Sequence, residues 1–423
     1  MNCVELISGA WFGDRPMMID FPPHWEIDVF GNDIVSSLSD DQIKAKIGDP
    51  IGTQQLYKLS AHKKRAVIVV DDLTRPTPVT SIIQAVTKEL DKGGIKKDAI
   101  SILIAGGTHA PASEAEITRK LGKEIAGTMT VILHDADKNV VFLGKSSLGV
   151  PVYVNKNVVD ADLVIGIGCI YPHPAAGFSG GSKIIAPGVC GSETVRYLHD
   201  YIKGGIRGKY QPHIEFIQEI RDIATRVGLD FIVNVVLNQK REIAGLFAGD
   251  KVQAHEKGIH FAIKSFSIKP VAKNFDIIIM DVYPFDMSLQ FAKDRGLWLL
   301  EGLGNHISKV VIADFSAGLG NHVLYPVNRQ FSARLSRRIK NLQLKDFRFI
   351  PDKIRAIKKI ITSKNQQIMF FSNGITNSEL TSVFPKASVF QNWNDIIHEL
   401  NIRHKNFSVK VALYQCSPYL IES

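Results

Sequence analysis

Cysteine is scarce in this chain of 423 residues. Cys3, Cys169, Cys190 and Cys416 are scattered and form no CxxC pair, which argues against a thiolate zinc site and a disulfide framework. No apolar run approaches the length that crosses a bilayer. The first twenty residues carry Glu5 inside their apolar stretch and lack a basic leader, so they do not read as a secretory signal. A reducing cytoplasm is the expected compartment. Two nucleotide-binding signatures are missing as well: GxxxxGK[ST] does not occur, and no GxGxxG follows a strand with an acidic residue about twenty positions on. With 45% hydrophobic and 22% charged residues, the composition excludes disordered and fibrous classes.

The formal charge of +9 is concentrated in one place. Between Arg329 and Lys364 twelve Lys or Arg face only Asp346 and Asp352, so this segment carries +10 and the rest is near neutral. Leu335, Ile339, Leu342, Ile350, Ile354, Ile357 and Ile361 recur within it at roughly helical spacing, which places most of these cations on solvated helix faces. Nucleic-acid binding through 329–364 is the alternative, and steep salt dependence would reveal it.

Short β-branched runs punctuate the chain: Ala66 to Val70, Ile100 to Ala105, Val131 to His134, Leu163 to Gly168, Phe231 to Val236, Phe275 to Asp281, Lys309 to Asp314 and Ile368 to Ser372. Most are continuous rather than alternating, as strands buried on both faces are. Helical patterns fall between them at Val79 to Lys92, Ala112 to Leu121 and Ile214 to Val227. The expected architecture is two α/β domains with mostly parallel sheets, 1–268 and 269–423, divided near Pro270, with the active site in the cleft between them. Gly302-Leu303-Gly304-Asn305 recurs at 318–321, and turn glycines beside a strand explain it better than a repeat.

Four segments carry polar chemistry at strand ends. In VIVVDDLTRPTP, Val67 to Pro78, two prolines stiffen the loop that presents Asp71, Asp72 and Arg75, and such an arginine suits bidentate capture of a carboxylate or phosphate. A purely structural reading serves this segment equally well: one aspartate caps the next helix and Arg75 pairs with it. In ILIAGGTHAP, Ile102 to Pro111, His109 stands among small residues, accessible as acid, base, ligand or simple loop histidine. In Gly166 to His199, the glycine loop Gly177, Gly180, Gly181, Ser182 precedes Lys183, and its N–H groups are candidates for meeting an anion. His173, Lys183 and His199 within so short a span favour function over packing. In Asp281 to Gly296, Gln290 and Lys293 share a helix face, which alone would read as solvated.

Taken together and in this order, DDLTRPTP, GTHAP and HPAAGFSGGSKIIAPG resemble the nickel-dependent lactate racemase family and its α-hydroxyacid racemase and epimerase relatives, over roughly Val67 to Gly296, with a weaker echo in GITNSEL and QNWNDIIHEL. The resemblance implies a nickel-pincer nucleotide, a pyridinium mononucleotide with two sulfur-bearing arms made elsewhere by cofactor-synthesis enzymes. It would be tethered as a thioamide to Lys183, beside Gly180, Gly181 and Ser182, with His199 as the protein ligand to nickel. Soft sulfur and carbon donors with one imidazole suit that metal. It further implies His109 and His173 as acid/base groups on the two faces of the substrate, Arg75 on its carboxylate, Asp72 orienting its neighbours, Lys293 and Gln290 supporting the oxygen or cofactor, and Trp393 lining the pocket. Small residues after His173, Pro174-Ala175-Ala176, and Leu289 where a hydrogen-bonding aromatic would suit lactate, point to a longer hydroxyacid or a sugar acid. An NAD-dependent hydroxyacid dehydrogenase is the rival enzyme class.

Overall fold

The computed structural model describes residues 2–31, 35–173, 176–201, 214–268, 274–297, 300, 303–320, 367–405 and 408–422. The basic 329–364 segment lies outside them, as do Pro174, Ala175, Gly302 and Asn321.

The chain forms two compact units, one of residues 32–268 with 419–423, the other of 1–31 with 269–418. In the first, six strands lie in the order Ile243–Gly249, Leu229–Leu237, Leu163–Cys169, Ala66–Asp71, Ile100–Ala105, Thr130–Leu133. All neighbours are parallel except the Ile243–Gly249 edge, which runs antiparallel. Ala66–Asp71 and Leu163–Cys169 are buried at every position, which is why they read as unbroken apolar runs. Connectivity moves outward from Ala66–Asp71 in one direction and then resumes at Leu163–Cys169 in the other. The strand order therefore reverses between these two, and the loops leaving their carboxyl ends open a crevice there.

The helices follow from their patterns. Thr80–Lys92 buries Ile82, Ile83, Val86 and Leu90, one stripe of an amphipathic helix. Glu114–Leu121 starts at a capping box in which Ser113 accepts from Glu116 N–H while the Glu116 side chain returns to the Ser113 N–H. Ile214–Val227 packs Phe216, Ile220 and Ile223 into the core with Val195, Leu198 and Ile184.

The other unit holds an all-parallel sheet ordered Ser388–Phe390, Met369–Phe371, Ser308–Ile312, Ile277–Asp281, Val409–Tyr414, Trp25–Phe30. The N-terminal strand Trp25–Phe30 thus completes the sheet of residues 269–418, an arrangement that a division at 268 alone does not contain. Gly318 and Gly320 adopt positive φ in a turn beyond Ser308–Ile312, as turn glycines do.

Candidate functional site

At the end of Ala66–Asp71 the backbone turns at once, with Arg75 N–H donating to the Asp72 carbonyl at 3.0 Å. Asp72 Oδ2 meets His109 Nδ1 at 2.5 Å, and its Oδ1 accepts from Thr74 Oγ1 at 2.5 Å. Thr74 Oγ1 in turn accepts from Arg75 Nη1 at 2.9 Å. Burial by itself would raise the Asp72 carboxyl, but the His109 imidazole, the Arg75 guanidinium and the Thr74 hydroxyl outweigh it and hold the group well below the usual carboxylate range. An ionised Asp72 keeps the proton of neutral His109 on Nδ1, which makes Nε2 the nitrogen that takes up a proton. Neither aspartate caps the following helix: its N-cap is Val79, with no side-chain bond.

The lysine loop is held from behind. Gly180 and Gly181 have φ of 83° and 54°. A Cβ on Gly180 would come within 2.9 Å of Asn234 Oδ1, and one on Gly181 within 2.5 Å of His255 Nδ1, so both positions need glycine for conformation and for room. Gly181 N–H donates to Asn234 Oδ1 at 2.7 Å, so this amide serves the scaffold and not the anion that the glycine spacing suggested. His255 Nε2–H donates to the Ser179 carbonyl at 2.8 Å. Burial, followed by the weaker influence of the Arg221 and Lys183 cations, lowers His255 to about 4 and keeps it neutral. Lys183 Nζ lies 5.7 Å from the centre of the Phe216 ring, within cation–π range. At the loop's far end the Gly188 carbonyl accepts from Gly107 N–H at 2.9 Å, which ties the lysine loop to the histidine loop.

His173 lies in the two-residue strand Pro172–His173, paired with Gly177–Phe178. Its Nδ1 accepts from Ala176 N–H at 3.4 Å, so the neutral ring carries its proton on Nε2, the reverse of His109. His199 stands on the Ser192–Tyr201 helix and donates from Nδ1 to the Val195 carbonyl at 2.8 Å. That bond leaves the lone pair on Nε2, the arrangement that a metal-binding imidazole uses.

Gln290, Lys293 and Trp393 belong to the other unit. Gln290 is buried on the Leu289–Arg295 helix, together with Leu289, Phe291 and Ala292, so this is no solvated face. Trp393 packs edge-on against Phe21 and Phe371 and donates from Nε1 to the Asp20 carbonyl at 2.8 Å. Its position is accounted for by the core of its own unit, with Ile396 and Leu400.

Three supporting residues escape sequence reading. Lys120 bonds Asp71 beneath the arginine loop, and Asn234 and His255 hold the glycines. Asn234 had a detectable mark, since an amide inside the apolar run FIVNVV must find partners. Lys120 and His255 sit in ordinary-looking helical sequence.

Comparison with known proteins bears on the same residues. A family model described as the lactate racemase N-terminal domain matches residues 12–206, a span that includes Asp72, Arg75, His109, His173, Lys183 and His199. The chain is similar to lactate racemases over that span, a little under half of its length. Its likeness to the lactate racemase family is seen again in the lactate racemase of Thermoanaerobacterium thermosaccharolyticum, 32% identical over 266 residues, 60% of this chain and 61% of the relative. That of Lactiplantibacillus plantarum is 31% identical over 255 residues, 59% of this chain and 60% of the relative. The matches thus span about three-fifths of the length of these curated lactate racemases. The solved lactate racemase apoprotein of T. thermosaccharolyticum superposes over the whole of both chains with a TM-score of 0.72 at 24% identity. A Thermotoga maritima protein does so with a TM-score of 0.63 at 17% identity, over 93% of this chain and all of that one. These two likenesses establish a shared fold.

Proposed function

We propose that this protein is a racemase or epimerase of an α-hydroxyacid, with its site on the loops that leave Ala66–Asp71, Ile100–Ala105 and Leu163–Cys169. The observation that carries the reading is the chain His109–Asp72–Thr74–Arg75 at the point where strand order reverses: an oriented base beside a guanidinium suited to a carboxylate. Arg75 would clamp the substrate carboxylate in two parallel hydrogen bonds. His109 Nε2 would take the hydroxyl proton on one face while Asp72 stabilises the resulting imidazolium. His173, with its proton on Nε2, would return a proton on the other face, and the two exchange roles when the opposite enantiomer binds.

The residues present fit the nickel-pincer nucleotide. Ser182 Oγ is buried without a hydrogen-bond partner among the described residues, directly beside Lys183, as expected of a group that awaits a ligand. Lys183 would hold the cofactor covalently, with Gly180, Gly181 and Ser182 alongside, and His199 Nε2 would bind its nickel. When bound, the group would supply the acceptor and donor for the substrate's α-hydrogen. The enzymes that make it would be partners in the cytoplasm. No helix among the described residues is long and apolar enough to cross a membrane. Small residues after His173 favour a hydroxyacid longer than lactate or a sugar acid. The dehydrogenase alternative loses ground at the turn after Ala66–Asp71: Asp72-Leu73-Thr74-Arg75-Pro76 has no glycine where a pyrophosphate would need close backbone approach.

Intact-mass analysis of protein made in a host with the cofactor pathway tests the reading. An adduct should be present on the wild type and absent from Lys183→Ala, together with racemisation. Equal mass gain and turnover in the variant would overturn the assignment.

A further inference from the structure

The loop that presents Asp72 and Arg75 poses an anchoring problem. Pro76 and Pro78 have no N–H, so this stretch has few donors with which to fasten its own backbone. Its carbonyls are fastened instead. Lys120 Nζ donates to the Thr77 carbonyl at 3.1 Å and the Arg75 carbonyl at 3.3 Å, and Arg241 Nη1 donates to the Pro76 carbonyl between them at 3.3 Å. The third partner of Lys120 is Asp71 Oδ1 at 2.6 Å, while Asp71 Oδ2 accepts from Thr77 Oγ1 at 2.6 Å. One ammonium, 2% exposed, therefore meets an acceptor for each of its three N–H groups.

We infer that Lys120 is a positioning residue for the hydroxyacid site: it sets the backbone from which Arg75 reaches the substrate carboxylate. The inference rests on the functional reading above. A buried ion pair is a poor way to gain stability, because desolvation cancels much of its attraction and an apolar pair of similar volume often does as well. Burial pushes Asp71 up and Lys120 down, so both partners bear that cost. What Lys120 provides, and a methionine could not, is a set of directed hydrogen bonds to two loop carbonyls.

Two variants separate the roles. Lys120→Met leaves Asp71 buried without its cation and is expected to lower stability. Asp71→Asn combined with Lys120→Met removes both charges while an amide remains to bond Thr77, so stability should largely return, yet the Arg75 and Thr77 carbonyls stay unanchored. In the holoenzyme this double variant should show KM for the hydroxyacid raised ~10-fold with kcat nearly kept, since Arg75 binds ground and transition states alike. In the protein without cofactor, amide exchange at Arg75, whose N–H bonds the Asp72 carbonyl, should accelerate about tenfold or more on the same reasoning. A double variant with wild-type KM and wild-type Arg75 exchange would show Lys120 to be a charge-balancing residue only and overturn the inference. If the wild type turns over no hydroxyacid while Arg75 exchange still accelerates in the variant, the functional reading falls and the anchoring of the loop stands.

Discussion

Acidification should weaken the fold through His255, by an amount that can be worked out. His255 has an ordinary value of 6.5 when unfolded and about 4 when folded, because its ring is enclosed against Ser179 and Gly181 and stands near the Arg221 and Lys183 cations. Between these values the unfolded chain binds more protons than the native one, so stability falls as pH drops through 6.5 and levels off below 4. At pH 5 the unfolded histidine gains a factor of roughly 30 from protonation while the folded one gains almost nothing, a difference of about 2 kcal/mol. The residue as a whole is only partly buried, which makes that figure a ceiling. His255→Gln keeps a donor for the Ser179 carbonyl and cannot titrate. Urea unfolding followed by far-UV circular dichroism at pH 7.5 and pH 5.0 should show the wild type losing ~1–2 kcal/mol more than the variant, the range set by that linkage. Equal losses would mean that His255 protonates as easily in the fold as out of it, and the enclosure described for the glycine loop would be wrong.

If His199 Nε2 is the protein's nickel donor, as proposed, His199→Ala should keep the Lys183 adduct and lose nickel; full nickel occupancy by elemental analysis would remove His199 from the proposed ligand set. His109→Ala and His173→Ala should each lose net racemisation by ~100- to 10,000-fold, the usual cost of a positioned base, while one of them still bleaches the cofactor absorbance with a single enantiomer. Near wild-type racemisation in both would make the two histidines structural.

Much of this architecture was legible because its cause is local. AVIVVD, LVIGIGC and IIIMD are buried at every position, and an unbroken apolar run is what such a strand must look like. The helix over Ile214–Val227 follows directly from its periodicity. Trp25–Phe30 was not legible as a sheet member, because its partner Val409–Tyr414 lies near the other end of the chain and its own burial is irregular. In the hairpins Cys3–Ser8 with Arg15–Asp20 and Val140–Lys145 with Pro151–Asn155, the strand Arg15–Asp20 is largely exposed and no position of Val140–Lys145 is buried, which weakens the apolar pattern.

The candidate site divides the same way. Arg75, His109 and Lys183 could be singled out because strand-end loops with glycine or proline around a polar residue are locally visible. The bond from Asp72 to His109 was not visible, since it joins loops of adjacent strands. Lys120 was hidden for a different reason. In the sequence EAEITRKL it looks like one more exposed helix cation, and only the tertiary fold turns it toward Asp71. Trp393 is held within its own unit, where its ring nitrogen donates to the Asp20 carbonyl and the ring packs among phenylalanines.

The central claim is that the α-hydrogen leaves the substrate with its electron pair and returns to the same molecule, while His109 and His173 handle only the hydroxyl proton. The most direct measurement is racemisation of a single enantiomer carrying deuterium at the α-carbon, in ordinary water, with the product enantiomers separated and weighed. The account predicts that the inverted product retains its deuterium. Washout of deuterium to solvent in step with inversion would mean that a base removes the α-hydrogen as a proton, and would contradict it.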